Sequence, residues 1–423
     1  MTDAVEATGI AAAARHSQSA GCFTNKSLKA GSHPNRVKIK LITSLFVTCN
    51  NVQLYDTIAG RKGRFVANSN SVRMFLCGPT VYDYPHVGHA RMLLYYDMMV
   101  RYFRFKKISV SVVVNITDID EKIFSKARTI GTKPTELADI FVDELLRDLS
   151  SLRIDGFTLA RVSDHVGTAR QLVVELLQAG KAYSAGGNVY LDTVSTASFG
   201  RMAGMTTKDL DDCRLDISPA KKSPPDILLW NSSEHFDVSF RDSMLGNGIP
   251  WWHIQDTSVA MASYGGSYDI HGGARELVYP HHECHLAQLK ALTSQDKPVR
   301  FWTHVGLLRI RGKKMSNSLG NTIAIRELLK RHSPNALRLY FYSKYYRDDF
   351  DFVENDLRRF QHIDDTIAAA LNRQPRAGRM AGRFFDRIED DFDTPGAVKA
   401  LIEAAKSRSA DLNAMVSVFG LRY

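Results

Sequence analysis

No two cysteines in this 423-residue chain are spaced as Cys-x-x-Cys. The five present (Cys22, Cys49, Cys77, Cys213 and Cys284) are scattered and odd in number. That excludes the disulfide framework of a small secreted domain and points to a reducing compartment. Long apolar runs are missing too: nothing approaches the roughly 18–20 residues that a membrane helix needs. Internal repeats are absent, so the chain does not read as a solenoid. Acidic residues are lacking from Ala7 to Tyr55, a stretch with six Lys or Arg. The net charge of +10 would suit a nucleic-acid partner, yet only about +6 belongs to the chain from Asp56 onward. Charge alone therefore does not decide the partner.

What is present falls into blocks. Residues 1–50 read as an extension rich in Ala, Ser and Asn, a composition that forms no core and suits a disordered tail. An organelle transit peptide has the same bias. From Val52 onward strands and helices alternate. Val72–Cys77 is an apolar run ending at Gly78-Pro79, as a buried strand feeding a loop would. His89–Phe105 has helical spacing through Met92, Tyr95, Tyr96, Met99, Val100 and Phe103, and Ile108–Val114 is a β-branched strand. Strand, loop, helix and strand in that order build a right-handed parallel unit. A second strand–helix block spans Tyr268–Leu292, with a further strand near Val305–Ile310. The expected fold is α/β, a split Rossmann-like parallel-sheet domain with an insert, followed by a C-terminal α-helical region. The boundaries are 51–154 for the first half, 155–249 for the insert, 250–304 for the second half, 305–353 for a basic loop and its flank, and 354–423 for the helices.

Two segments carry phosphate chemistry. Pro85-His86-Val87-Gly88-His89 opens a helix, where free N–H groups and a partial positive charge favour anions. His86 and His89 are three apart and can share a face of the first turn. Gly88 lets a nucleotide come close to the backbone, and the imidazoles can donate to an α-phosphate as charge builds on it. Arg311-Gly312-Lys313-Lys314-Met315-Ser316-Asn317-Ser318 reads as a mobile basic loop able to clamp a triphosphate. Taken singly, a four-residue pattern and a solvated charge run are each common. Together, in order and on opposite sides of a split α/β domain, they are specific.

At these residues the chain resembles the class I aminoacyl-tRNA synthetases, with HVGH for their HIGH motif and KMSNS for KMSKS. Asn317 stands where that family has its second lysine, so Lys314, Lys313 or Arg311 would carry more of the load. The finer resemblance is to the cysteinyl-tRNA synthetases and runs from about Val52 to the C-terminus. It rests on Leu76-Cys77-Gly78-Pro79-Thr80-Val81-Tyr82-Asp83, Asn115-Ile116-Thr117-Asp118-Ile119-Asp120-Glu121-Lys122, Trp252-His253-Ile254, Asp269-Ile270-His271-Gly272-Gly273 and Pro280-His281-His282-Glu283.

The resemblance implies a zinc ion that binds the substrate thiolate. Its ligand positions here are Cys77, Asp256, His281 and His285, with Asp256 for a cysteine and His285 for a glutamate. All four residue types ligate zinc. The set has one negative charge fewer than the family's, so its zinc would be a stronger Lewis acid. His281 and His285 are four apart, and a helix would put both on one face. Cys284 is an alternative to Asp256. His282-Glu283-Cys284-His285 falls one residue short of a zinc-protease HExxH motif. A metal would explain how cysteine is told from near-isosteric serine, which a simple pocket rejects only modestly.

The resemblance further implies catalytic roles for His86, His89 and Lys314. It places ATP at Gly88, Gly272, Gly273, Lys313, Lys314 and Ser316, and the amino acid at Thr117, Trp252 and Glu276. The implied function is a cysteine–tRNA ligase using ATP with Mg²⁺, L-cysteine and tRNA(Cys). It would be a cytoplasmic monomer without membrane contact, or organellar if residues 1–50 are a transit peptide. Two alternatives share the core: a cysteine:amino-sugar ligase of mycothiol synthesis, suggested by how soon the chain stops after its helical region, and a catalytically silent tRNA-binding paralogue, suggested by Asn317 and the altered ligands.

Overall fold

The computed structural model describes residues 52–423 except 197, 213–214, 217, 233–235, 316–318 and 377–379. The extension at 1–50 therefore lies outside the described residues, with both of its readings, and so do Ser316 and Asn317. A hairpin of β1 (Val52–Asp56) and β2 (Arg61–Phe65) comes first. The apolar run before Gly78-Pro79 is β3 (Ser71–Leu76), which leads into α1 (Val87–Phe105). β4 (Ser109–Ile116), α2 (Glu121–Ile130), α3 (Pro134–Ser151) and β5 (Thr158–Arg161) follow. α1 is buried on almost every side, Arg91 and Asp97 included, as suits a helix packed against both a sheet and other helices.

α4 (Val166–Gln178) precedes an antiparallel sheet made of β6 (Ala182–Ala185), β7 (Asn188–Leu191), β8 (Ile227–Asn231), β9 (Phe240–Asp242) and β10 (Gly246–Pro250). Its order is β6-β7-β8-β10-β9, and the short α5 (Thr207–Asp211) lies in the loop before β8. α6 (Trp252–Tyr264), β11 (Tyr268–Ala274), α7 (Glu283–Thr293) and β12 (Val299–Val305) return the chain to the first sheet. The insert shares one apolar core with α6 and α7, in which Leu172, Val173, Leu229 and Trp230 meet Ile254, Cys284 and Ala287.

The central sheet has the order β12-β11-β3-β4-β5, and all its pairings are parallel. From β3 the chain winds one way through β4 and β5, and from β11 the other way to β12. The order thus reverses between β3 and β11, and in such sheets the crevice outside the strands' carboxyl ends is where ligands bind. Cys77 leaves β3 at this point, its N–H donating to Gly272 O at 3.0 Å.

Two boundaries differ from the expected ones. β5 pairs with β4 in the central sheet, so the first block continues past residue 154 and the insert's own sheet spans 182–250. The single strand expected near Val305–Ile310 is two, β12 and β13 (Leu308–Ile310). They part at Gly306, where a Cβ would stand 2.4 Å from Asp348 O. β13 forms a tight hairpin with β14 (Lys313–Lys314) through Arg311 and Gly312, both at positive φ, the conformation a two-residue turn of this hand requires.

α8 (Ile325–Leu329), α9 (Pro334–Tyr342), β15 (Phe350–Asp351), α10 (Glu354–Leu371), α11 (Ala381–Glu389), α12 (Thr394–Ser407) and α13 (Leu412–Phe419) finish the chain. Fully buried Arg338 fastens this region to the sheet domain. It pairs with Asp97 of α1 at 2.6 Å and donates to Leu152 O and Phe419 O. Among the described residues no helix is long and apolar enough to cross a membrane.

Candidate functional site

A cleft of about 400 Å³ opens at the β3/β11 crevice. Its walls carry Cys77, Thr117, Trp252, Asp256 and His281, and at the other end His86, His89, Glu276 and Lys314. Cys77 comes from the end of β3, Asp256 from the first turns of α6, and His281 from the turn before α7. Cys77 Sγ lies 2.9 Å from Asp256 Oδ2, which lies 2.8 Å from His281 Nε2. These three buried atoms are all within 4.8 Å of one another, and thiolate, carboxylate and imidazole together make a donor set that fits zinc. Asn115 Nδ2 donates to the other oxygen, Asp256 Oδ1, at 2.7 Å and so fixes the carboxylate's orientation. Burial, with the adjacent Asp256 charge, pushes the Cys77 thiol up. Burial also pulls the Asp256 carboxyl upward, but His281, Cys77 and His285 outweigh it and hold the group below its usual range.

His285 is elsewhere. Its Nε2 lies 2.9 Å from Tyr268 OH and its Nδ1 3.0 Å from Thr257 Oγ1, so neither nitrogen is directed at the cluster. The expected shared helical face fails because Val278–His282 is an irregular wide turn, with Tyr279 extended (φ −132°, ψ 135°), and the regular helix begins only at Glu283. Cys284, the alternative ligand, belongs to the apolar core shared with the insert. Trp252 stacks on His281, with centroids 4.9 Å apart and planes 17° apart, which places its ring against the cluster.

The turn into α1 corrects another expectation. Its first N–H groups are not free: Val87 N donates to Ile323 O, Gly88 N to His86 Nδ1, and His89 N to His86 O. His86 N in turn donates to His89 Nδ1 at 3.2 Å, so the two imidazoles form a reciprocal cap. Their rings stack 3.8 Å apart. Burial first, then Lys314, lowers His86 to about 4, and burial, then His86, holds His89 well below the usual imidazole range. Both rings are therefore neutral near pH 7. Since each Nδ1 accepts a backbone N–H, each proton sits on Nε2, and the helix end offers two imidazole donors in place of backbone ones.

The glycines also serve neighbours. A Cβ on Gly88 would stand 2.9 Å from the His86 ring, one on Gly272 2.4 Å from Tyr96 Cζ, and one on Gly273 2.8 Å from His282 Cε1. The Cβ directions of Gly272 and Gly273 are thus filled by Tyr96 and His282. Lys313 and Lys314 are both exposed on β14, and Lys314 also lines the cleft and pairs with Glu276.

Residues 65–362 match the family model described as the tRNA synthetases class I (C) catalytic domain. The chain belongs to that synthetase family. Among its relatives, the cysteine–tRNA ligase of Thermococcus onnurineus is 34% identical over 380 residues, covering 84% of this chain and 79% of the relative. That of Heliobacterium modesticaldum is 33% identical over 391 residues, covering 86% and 81%. Methionyl-tRNA synthetase of Mycobacterium tuberculosis, in complex with methionyl-adenylate, superposes with a TM-score of 0.62 at 15% identity over 82% of this chain and 87% of that one. LeuRS of Agrobacterium radiobacter, in a ternary complex with tRNA, gives 0.61 at 10% identity over 83% of each. At such identities these last two speak for the fold alone.

Within this synthetase, the residues that hold the site together were not singled out from the sequence. Asn115, Tyr96, Tyr268, His271 and His282 all contact site residues or their neighbours. Asn115, His271 and His282 fall in the segments that resemble the synthetases, but nothing in spacing along one strand reveals a partner on another. A polar residue within an otherwise apolar strand, as Asn115 is in β4 and His271 in β11, is the signal that could have found those two.

Proposed function

We propose that the chain activates L-cysteine with ATP and transfers the cysteinyl group to tRNA(Cys), as a cytoplasmic monomer. The observation that carries this is one cleft with a thiol–carboxylate–imidazole cluster at one end and the His86–His89–Lys314 group at the other. Cys77, Asp256 and His281 would hold the zinc. Three protein ligands leave a position open toward the cleft, as in zinc sites that handle substrate. The ion, when bound, supplies a Lewis-acid contact that prefers thiolate to hydroxyl, a distinction packing alone makes poorly.

The residues do the rest. Trp252, stacked on His281, covers the substrate side chain, while Thr117 and Glu276 line the wall beside its amino and carboxyl groups. As the cysteine carboxylate attacks the α-phosphorus and pyrophosphate leaves with Mg²⁺, His86 and His89 donate through Nε2–H to the phosphoryl oxygens. Lys314 meets the departing phosphates, released from Glu276. A ribose hydroxyl at the tRNA 3′ end then attacks the cysteinyl carbonyl and AMP leaves. Charging of tRNA(Cys) by zinc-replete protein, run beside an amino-sugar acceptor, tests the reading. Cysteinyl-tRNA is expected. Product on the amino sugar alone, or binding of tRNA without turnover, would contradict it.

A further inference from the structure

Behind the first cluster the chain carries a second triangle of donors on the same sulfur. His282 Nε2 lies 3.1 Å and His271 Nε2 3.4 Å from Cys77 Sγ, and the three atoms lie within 4.8 Å of one another. We propose that Cys77, His271 and His282 form a second, inner metal position, which takes a soft monovalent ion of the Cu(I) class. The inference goes beyond the ligase reading and does not rest on it.

Each imidazole is held from behind, as metal-ligating histidines are. His271 Nδ1 lies 2.7 Å from Tyr268 OH, which reaches His285 Nε2, and His285 Nδ1 reaches Thr257 Oγ1. His282 Nδ1 lies 2.7 Å from His304 Nε2, and His304 Nδ1 2.7 Å from Thr57 Oγ1. Protons can run outward along both chains, from His271 to Tyr268 to His285 to Thr257, and from His282 to His304 to Thr57. That leaves a lone pair on each Nε2 facing the sulfur. His285 is thus a positioning residue for His271, which accounts for its turning away from the outer cluster.

Charge, donor type and coordination number decide which ion goes where. The outer set offers thiolate and carboxylate, which neutralise a dication, and its fourth position opens on the cleft. The inner set offers one negative charge and nitrogen in place of oxygen. A monovalent ion is neutralised there once Cys77 releases its thiol proton to solvent. His271 and His282 are fully buried, with Trp302 stacked on His271 at 4.2 Å, so no cleft supplies the fourth ligand that zinc prefers. Three donors including a thiolate suffice for a soft d¹⁰ cation. Because both positions use Cys77, an inner ion draws the thiolate away from the outer one.

The test uses the full chain under anaerobic conditions, with Cu(I) supplied from a chelator competitor and zinc affinity measured in parallel. The wild type is expected to hold one Cu(I), and copper-edge X-ray absorption to show one sulfur and two imidazole nitrogens. His271→Gln and His282→Gln should each weaken Cu(I) at least about tenfold, as loss of a ligand or its support does, while zinc shifts far less. Asp256→Asn should do the reverse. Cu(I) affinity unchanged in both histidine variants, or sulfur-only coordination in the wild type, would mean adventitious thiol binding and overturn the proposal. The wild-type spectrum decides even if a variant misfolds. Cu(I) affinity and the copper-edge spectrum decide this inference alone, and cysteine-dependent exchange by zinc-replete protein without copper decides the ligase reading alone.

Discussion

Asp256 is held at both oxygens, by Asn115 on one side and by Cys77 and His281 on the other. Removing the amide with Asn115→Ala should free the carboxylate to rotate and cost about 10–100-fold in zinc affinity, read by chelator competition. An unchanged affinity would show that Asn115 does not orient the ligand. The buried histidines have a consequence for acid stability. Burial lowers His86 to about 4 and His304 to about 3, against about 6.5 in the unfolded chain. Between those values the unfolded chain binds protons that the folded chain refuses. Their contribution is therefore intact above pH 6.5 and is lost as pH falls toward 4 and 3. Each group adds a slope of up to about 1.4 kcal/mol per pH unit. Urea midpoints of metal-free protein should fall clearly between pH 7 and pH 5, and His304→Gln should flatten that fall. A flat wild-type profile would contradict the neutral, buried assignment.

At the scale of elements, the cap of α1 is the device that turns two histidines into donors. Gly88→Ala would put a Cβ 2.9 Å from the His86 ring and tilt it. The expected result is a kcat loss of about tenfold or more, with a stability cost of only about 1–2 kcal/mol. Unaltered kcat would show that the ring geometry does not matter. Arg338 fastens α9 to α1 and to the carbonyl that ends α13, so Arg338→Met leaves Asp97 buried without that partner. The cost should be about 3–5 kcal/mol in denaturant unfolding, and a loss under 1 kcal/mol would sink this account of the docking. Elements like these were largely legible beforehand. β3, α1, β4 and the C-terminal helices stand where alternation and helical spacing put them, because their apolar patterns are local. β5 did not, since four residues after Asp155-Gly156 carry too little pattern to reveal a fifth strand. His285 was misplaced because the wide turn at Val278–His282 breaks the spacing argument, and because Tyr268 and Thr257, which hold it, come from β11 and α6.

At the scale of the molecule, topology brings the two ends of the site together. The reversal of strand order between β3 and β11 creates the crevice, β3 delivers Cys77 to it, and the turn after β3 delivers His86 and His89. The β13–β14 hairpin brings Lys314 across from the far side, where Glu276 receives it. A Cys/Asp/His cluster that could hold a metal and two imidazole donors in one cleft suit thiol-selective amino-acid activation, and membership of the class I synthetase family agrees with that architecture. The most direct test is ATP–pyrophosphate exchange by zinc-replete protein with cysteine, and with serine, as the amino acid. Exchange with cysteine, near-background exchange with serine, and loss of the cysteine signal in Cys77→Ser are expected. No exchange with cysteine, or equal exchange with serine, would contradict the account.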